Sequence, residues 1–323
     1  MKRLFLFTFL FVNILHAATN EHLFLFYQDG KFGYVNSSGN WVIKPEFTQG
    51  KPFVGNVALV KKENDWLFIN KKAQPILTLS SSKFDVVDSF HEELAGVGKN
   101  NKYGFINKKG EQVIDLIYDG CFNFSNALAC VVKERKMGFI NKKGAVIIPL
   151  QYAEVYPFFN DNIIPVRTKN GLMGFIDKKG KLLIKAQYDV AFPFNQGFAA
   201  VMKNKKWHFI NKKGEMLGTT TFDFAGNFSE GLAPICVNGK FGFLNLKGII
   251  EIKPKYSHAF IFTEGLAAVR DNGKWGFINH KGTIVIPCTY SSASPFKNGI
   301  APVSQNGETF LINKKGEIIA GKK

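Results

Sequence analysis

The chain is poor in the groups from which catalytic and metal centres are usually built. Its 323 residues include only four cysteines and six histidines. Cys121, Cys130, Cys236 and Cys288 form no CxxC pair, and no paired histidines accompany them, so the usual zinc spacings are excluded. His91, His208, His258 and His280 stand in unrelated surroundings, and none belongs to a HExxH box. Neither a GxSxG nucleophile elbow nor a GxGxxG phosphate loop is present. Acidic residues are outnumbered 25 to 42 by Lys and Arg, leaving a formal charge of +17. Beyond the first twenty residues no apolar run reaches the ~20 residues needed to cross a bilayer. No catalytic residue, cofactor or metal is therefore assigned.

What is abundant is phenylalanine, with 33 copies in a chain that is 46% hydrophobic. That is enough apolar material for a packed core, which excludes global disorder. The opening MKRLFLFTFLFVNILHAATN pairs Lys2 and Arg3 with an apolar run from Leu4 to Leu15 and a small-residue exit at Ala17 and Ala18. This is the layout of a secretory signal peptide. We expect residues 1–18 to be removed and residues 19–323 to form a single repeat domain, exported to the periplasm or the outside. No cysteine precedes Cys121, so no thiol is placed to carry a lipid near the cleavage point.

The heptapeptide GFINKKG at 104–110 returns unchanged at 138–144, with variants at 174–180 and 208–214. Taking its first residue as a marker gives Gly33, Leu67, Gly104, Gly138, Gly174, His208, Gly242, Gly276 and Phe310, nine units spaced by 34 to 37 residues. A near-fixed period of this length marks a repeat architecture. Within a unit such as 262–290, Leu266 to Arg270 is a short β-prone run and Asp271-Asn272-Gly273 a tight hairpin turn. Trp275 to Asn279 alternates like a strand, and Asn279 to Gly282 is a second turn. Thr283 to Ile286 is a third strand, expected to stop at Pro287. Each unit is thus read as a three-stranded antiparallel meander, followed by a connector. The Asn or Asp of the second turn recurs in all nine units, and its Gly fails only at Ala73, where a remodelled turn is expected. Asp85, Asp119, Asp189 and Asp223 follow a recurring aromatic and suit turn capping.

Three aromatic columns explain the phenylalanine count. One follows the marker (Phe105, Phe139, Phe277 and equivalents); a second includes Tyr118, Tyr152 and Tyr290; a third comprises Phe53, Phe90, Phe124, Phe158, Phe194, Phe228, Phe262 and Phe296. Like residues of adjacent units are expected to stack, each ring contributing roughly 1.5–3 kcal/mol when buried.

The literal Lys274-Trp275-Gly276, with GFIN, the later Val285-Ile286-Pro287 and Glu264 to Val269, resembles the bacterial WG-repeat proteins, also called KWG repeats. The resemblance covers essentially all of 22–323. Trp occupies the name position only at Trp66, Trp207 and Trp275, and His208, Leu67 and Phe310 replace its Gly. The resemblance implies an extracytoplasmic repeat scaffold and no catalytic residues. The expected fold is all-β: about nine three-stranded units in an open twisted β-solenoid, with a propeller-like ring as the alternative. Nothing in the chain ends suggests a blade shared between them.

Lysine pairs fill the second turn at Lys108-Lys109, Lys142-Lys143, Lys178-Lys179 and Lys212-Lys213, and also at 71–72 and 314–315. Stacked, they would line one edge and attract an anionic polymer such as an envelope glycan. The competing reading is that they keep turns soluble and edges unpaired. Nucleic acid suits the charge, but not export or the lack of exposed aromatics beside the lysines. The non-repeating His208, Arg135 and Arg167 are further candidates for ligand contact. The cysteines occupy small buried positions, although an oxidising compartment would permit a Cys121–Cys130 disulfide. The function expected is a non-enzymatic exported scaffold binding a protein or envelope glycan. The alternatives are an envelope hydrolase with a site drawn from several units, or a self-assembling structural protein.

Overall fold

The computed structural model describes residues 22–156 and 161–321. The expected signal peptide and Phe158 lie outside the described residues. Nine antiparallel sheets follow one another along the chain, with no helix among the described residues. They form the blades of a closed nine-bladed β-propeller. Blade 4 shows the pattern: Gly120–Cys121, Leu128–Lys133, Lys136–Asn141 and Val146–Tyr152 pair in chain order. The connector expected to be strandless therefore supplies a two-residue first strand. Seven sheets carry four strands; blades 1 and 6 carry three among the described residues.

The hairpin between the second and third strands turns through residues with positive φ. Glu134 and Arg135 sit at +51° and +60°, and Asn272 and Gly273 at +46° and +78°. Two left-handed residues in succession match the twist of a two-residue hairpin. The next turn depends on its Asn. Asn107 Oδ1 accepts the backbone N–H of Lys109 at 2.9 Å and of Glu111 at 3.1 Å. Asn141 and Asp177 hold Lys143, Ala145, Lys179 and Lys181 in the same way. Gly110 closes this turn at φ +78°. Ala73 adopts φ +61° and keeps the backbone bonds of the turn, so the remodelling expected there does not occur.

The fourth strand does not stop at its proline. In blade 8 it runs Ile284–Tyr290, through Pro287. It bulges instead: Met137 pairs Tyr152 while Phe139 pairs Ile148, so the fourth strand of blade 4 gains two residues opposite Gly138. The bulge places Pro149 where no ladder hydrogen bond is required. It also presses backbone onto the marker glycine. A Cβ on Gly138 would lie 2.5 Å from the Ile148 carbonyl oxygen and 2.7 Å from Leu150 N. Blade 2 lacks this bulge, pairing Trp66–Leu79, Leu67–Thr78 and Phe68–Leu77 in unbroken register, and there the marker is Leu67.

Adjacent blades are joined by unlike aromatic columns, not by the like-on-like ladders expected. The third-column Phe of one blade inserts against the third-strand ring of the preceding blade. Phe124 meets Phe105 at 4.8 Å, Phe194 meets Phe175 at 4.9 Å and Phe296 meets Phe277 at 4.8 Å between centroids. Phe105, Phe175 and Phe277 are wholly buried.

The open solenoid gives way to the ring. Phe26, Val35, Ile300 and Leu311 form one buried cluster, with Phe24, Trp41, Ile319 and Ala320 packed on it, so the first blade seals against the last. Among the described residues no strand is exchanged between them, each sheet being drawn from one end of the chain. Among those residues the ring closes through side-chain packing. Nine units, each turned slightly from the last, bring the two apolar end faces together, and burying them costs no edge pairing.

Candidate functional site: the lysine-turn face

Strand direction places two sets of loops on one face of the ring. These are the tips between first and second strands (Glu92-Glu93, Glu230-Gly231, Glu264-Gly265) and the lysine-bearing turns between third and fourth strands. The tips form a chain of contacts between blades. Glu92 accepts the N–H of Ala127, Glu230 that of Gly265 and Glu264 that of Gly299, all at 2.8–2.9 Å. The first lysine of the following blade's turn reaches the same carboxylates: Lys142 lies 3.2 Å from Glu92 and Lys314 3.2 Å from Glu264. In blade 8 His280 takes that lysine's place, its Nε2 3.1 Å from Glu230 and its ring stacked on Phe262. Desolvation pushes the Glu92 and Glu264 carboxyls up, but the backbone N–H donors and lysines outweigh it and hold both below the usual range.

The sequence-predicted residues therefore divide. Lys108 pairs with Glu93 at 2.7 Å, Lys142 with Glu92, and Lys212 with Asp161 at 3.4 Å. Lys142 and Lys212 thus reach the tip of the preceding blade, Lys108 pairs within its own blade, and Lys178 holds the same position of its turn. Second-position lysines, Lys109, Lys143, Lys179 and Lys213, are all exposed, and only their backbone is engaged by the turn. Lys72, Lys247, Lys281 and Lys315 occupy the same position, so eight blades present this cation on one face. The lysines expected to line an edge thus form a ring.

Arg135 and Arg167 are not brought to that face. Arg135 is at the tip of the opposite hairpin. Arg167 is a strap: its Nε donates to Glu154 at 2.7 Å, and its Nη1 to the carbonyls of Gly171 at 2.7 Å and Asp189 at 3.1 Å. The capping aspartates also lie on that side. Asp119 accepts the N–H of Glu134 at 2.7 Å and Lys102 Nζ of the preceding blade at 2.7 Å, which holds its carboxyl below the usual range. Asp223 does the same with Lys206 and Asn238. His208 is half-buried in mid-strand, in blade 6. Burial first, then Lys203, lowers its pKa, so it is neutral at pH 7. All four cysteines are free thiols; burial pushes Cys121 and Cys130 up to about 12, leaving both unreactive at neutral pH.

Sequence reasoning missed a cavity of about 610 Å³ on the lysine-turn face, at the seam between blades 9 and 1. Leu23, Leu25, Phe53, Ile300 and Leu311 form its apolar wall. Counting fourteen residues back from each marker gives Phe in seven units, Asn160 in the fifth and Thr19 in the first.

A ring of short antiparallel sheets, locked at seven junctions by an aromatic plug, defines a repeat propeller. The model of the WG containing repeat family matches it eight times, over residues 32–66, 68–103, 103–136, 137–172, 173–207, 209–241, 241–275 and 275–308. The chain belongs to that family. No curated protein matches it in sequence. Among solved structures, a crystal structure of the eukaryotic initiation factor is similar with a TM-score of 0.70 at 12% identity, over 94% of this chain and 96% of that one. The computationally designed Ika8 protein gives 0.48 at 12% identity, over 83% and 96%. Apo AztD from Citrobacter koseri gives 0.42 at 10%, over 92% and 93%. The first likeness extends to the fold alone, and the other two are too distant to support any inference.

Proposed function

We propose that this propeller is an exported, non-enzymatic scaffold that binds an anionic envelope glycan, or a protein bearing such charge, on its lysine-turn face. The observation that carries this reading is the division of labour within the turns. The first-position Lys108, Lys142, Lys212 and Lys314 are paired with carboxylates of the blade tips, whereas eight second-position lysines project from the same face. A ring of like charge repels itself, yet attracts an extended polyanion over roughly a Debye length, ~8–10 Å at physiological salt. The basic, apolar, small-residue layout of residues 1–18 supports export.

The test is retention of the purified chain on peptidoglycan and outer-membrane fractions across a salt series. Retention should fall as salt rises. Reversing Lys109, Lys143, Lys179 and Lys213 to Glu should abolish it with the fold intact. Equal retention by that variant would overturn the reading.

A further inference from the structure

Exposed apolar side chains collect at one register of the repeat. Nineteen large hydrophobic residues are exposed among the described residues, and thirteen of them stand four to six positions after the turn Asn or Asp, where the chain leaves the lysine turn. Every blade contributes at least one. Val42, Ile76, Val146, Leu182, Ile249 and Ile284 are 44–58% exposed. Exposed aliphatics scattered singly are ordinary, but a band at one register of nine blades is a surface feature.

The fold sets this band among the lysines. A fourth strand is an edge of its sheet, paired on one side only, so its first side chains stay open to solvent on both faces of the blade. The residue that follows them turns inward and packs on the next blade's turn. Ile148 is wholly buried, and a Cβ on Gly180 would lie 3.6 Å from it; Ile184 approaches Gly214 and Ile286 approaches Gly316 in the same way. Each stretch of the band therefore lies between two turns that present exposed lysines, such as Lys143 and Lys179. Acids at the edge of the band are turned back to the turn amide: Asn107 Nδ2 donates to Glu111 at 2.7 Å, Asn211 to Glu215 at 2.7 Å and Asn313 to Glu317 at 2.6 Å.

Charge and edge chemistry select what covers such a face. A second copy placed face to face would set one ring of lysines against another. A partner strand added to the edge would meet Pro45, Pro149, Pro254 and Pro287 within the fourth strands. A glycan would leave the aliphatic band in water. An anionic bilayer satisfies both features, because peripheral binding grows with buried apolar area and with attraction of cations to acidic lipids.

We propose that the lysine-turn face docks flat on an anionic lipid bilayer, its aliphatic band entering the boundary between headgroups and acyl chains and its second-position lysines meeting lipid phosphates. The proposal shares those lysines with the glycan reading, but the band belongs to it alone, so the two can fail separately.

The experiment is flotation of the full chain with liposomes of phosphatidylcholine, alone or with about one-quarter phosphatidylglycerol. A band variant combines Val146→Ser, Leu182→Ser, Ile249→Ser and Ile284→Ser. All chains compared keep residues 1–21, so binding through that segment is common to them. The wild type should float with the anionic liposomes, not with phosphatidylcholine alone, and less as salt rises. The band variant should bind at least about tenfold more weakly, with peptidoglycan retention unchanged. A second variant, Ile249→Trp, stands independently of whether the band variant folds: its added indole should be quenched by brominated acyl chains in the anionic liposomes. Absence of flotation, equal flotation with phosphatidylcholine alone, equal flotation of the folded band variant, or an unquenched indole each overturns the proposal. A dimer that dissociates in the band variant, without flotation, assigns the face to a second copy instead. Peptidoglycan retention that survives in the band variant leaves the glycan reading standing whatever the liposomes show.

Discussion

Blades 4 and 6 are built from nearly the same sentence and end differently. Both have the two-residue first strand and the long central hairpin. Blade 4 completes itself with Val146–Tyr152, bulged over Gly138. Blade 6 has no fourth strand: past Asn211 only the single bridges Ile210–Met216 and Trp207–Phe222 remain. Its marker is His208. The bulged strand is what crowds the marker, so where that strand is lost a side chain is tolerated. Blade 2, unbulged, carries Leu67, and blade 9, with the short strand Ile318–Ala320, carries Phe310. The family's glycine is therefore a condition set by the neighbouring strand, not an independent requirement of the turn or hairpin.

The sharpest way to break this comparison is to exchange the markers. Gly138→Leu should unfold or severely destabilise the chain, by at least about 3 kcal/mol, because the obstructing atoms are backbone. His208→Gly should change stability by less than ~1 kcal/mol. Denaturant midpoints measure both, and equal costs would end the account. Next in size are the plugs. Phe277→Ala should cost roughly 3–5 kcal/mol, since it empties a wholly buried ring site. Leu311→Ala at the seam of blades 9 and 1 should cost less, toward the ~2 kcal/mol end of its class.

Acid should expose the polar straps. Asp85, Asp119, Asp223, Glu92 and Glu264 all lie below their ordinary pKa in the folded chain. Their contribution is fully present above the unfolded-state values, near 4, and is lost as pH falls through the folded ones. Tm should be level from pH 7 to 5 and decline below about 4, less steeply in Asp119→Asn. A fall between pH 7 and 5 would point to histidine instead. The smallest effect has the opposite sign. Arg135→Gly relieves a left-handed residue and should stabilise by roughly 0.5–1 kcal/mol, with envelope retention unchanged.

The repeat, its turns and its capping residues were legible because each is local. Asn107 and Gly110 reach only a few residues along the chain, and Asp119 caps a hairpin fifteen residues on. The continuation of the fourth strand through Pro287 was not legible, because proline reads as a stop unless a bulge on the paired strand is known. Nor was the fate of the lysines: Lys142 and Lys143 are identical in sequence context, and only the neighbouring blade's Glu92 tells them apart.

By itself the sequence determined nine β units, their period and the burial of their rings, since apolar alternation and turn chemistry act within a single unit. Whether those units made a coil or a ring was decided in three dimensions. Closure depends on the angle accumulated over nine junctions and on the fit of Phe26 and Val35 against Ile300 and Leu311. Those residues lie almost the whole chain apart, and no periodicity along it records that they meet.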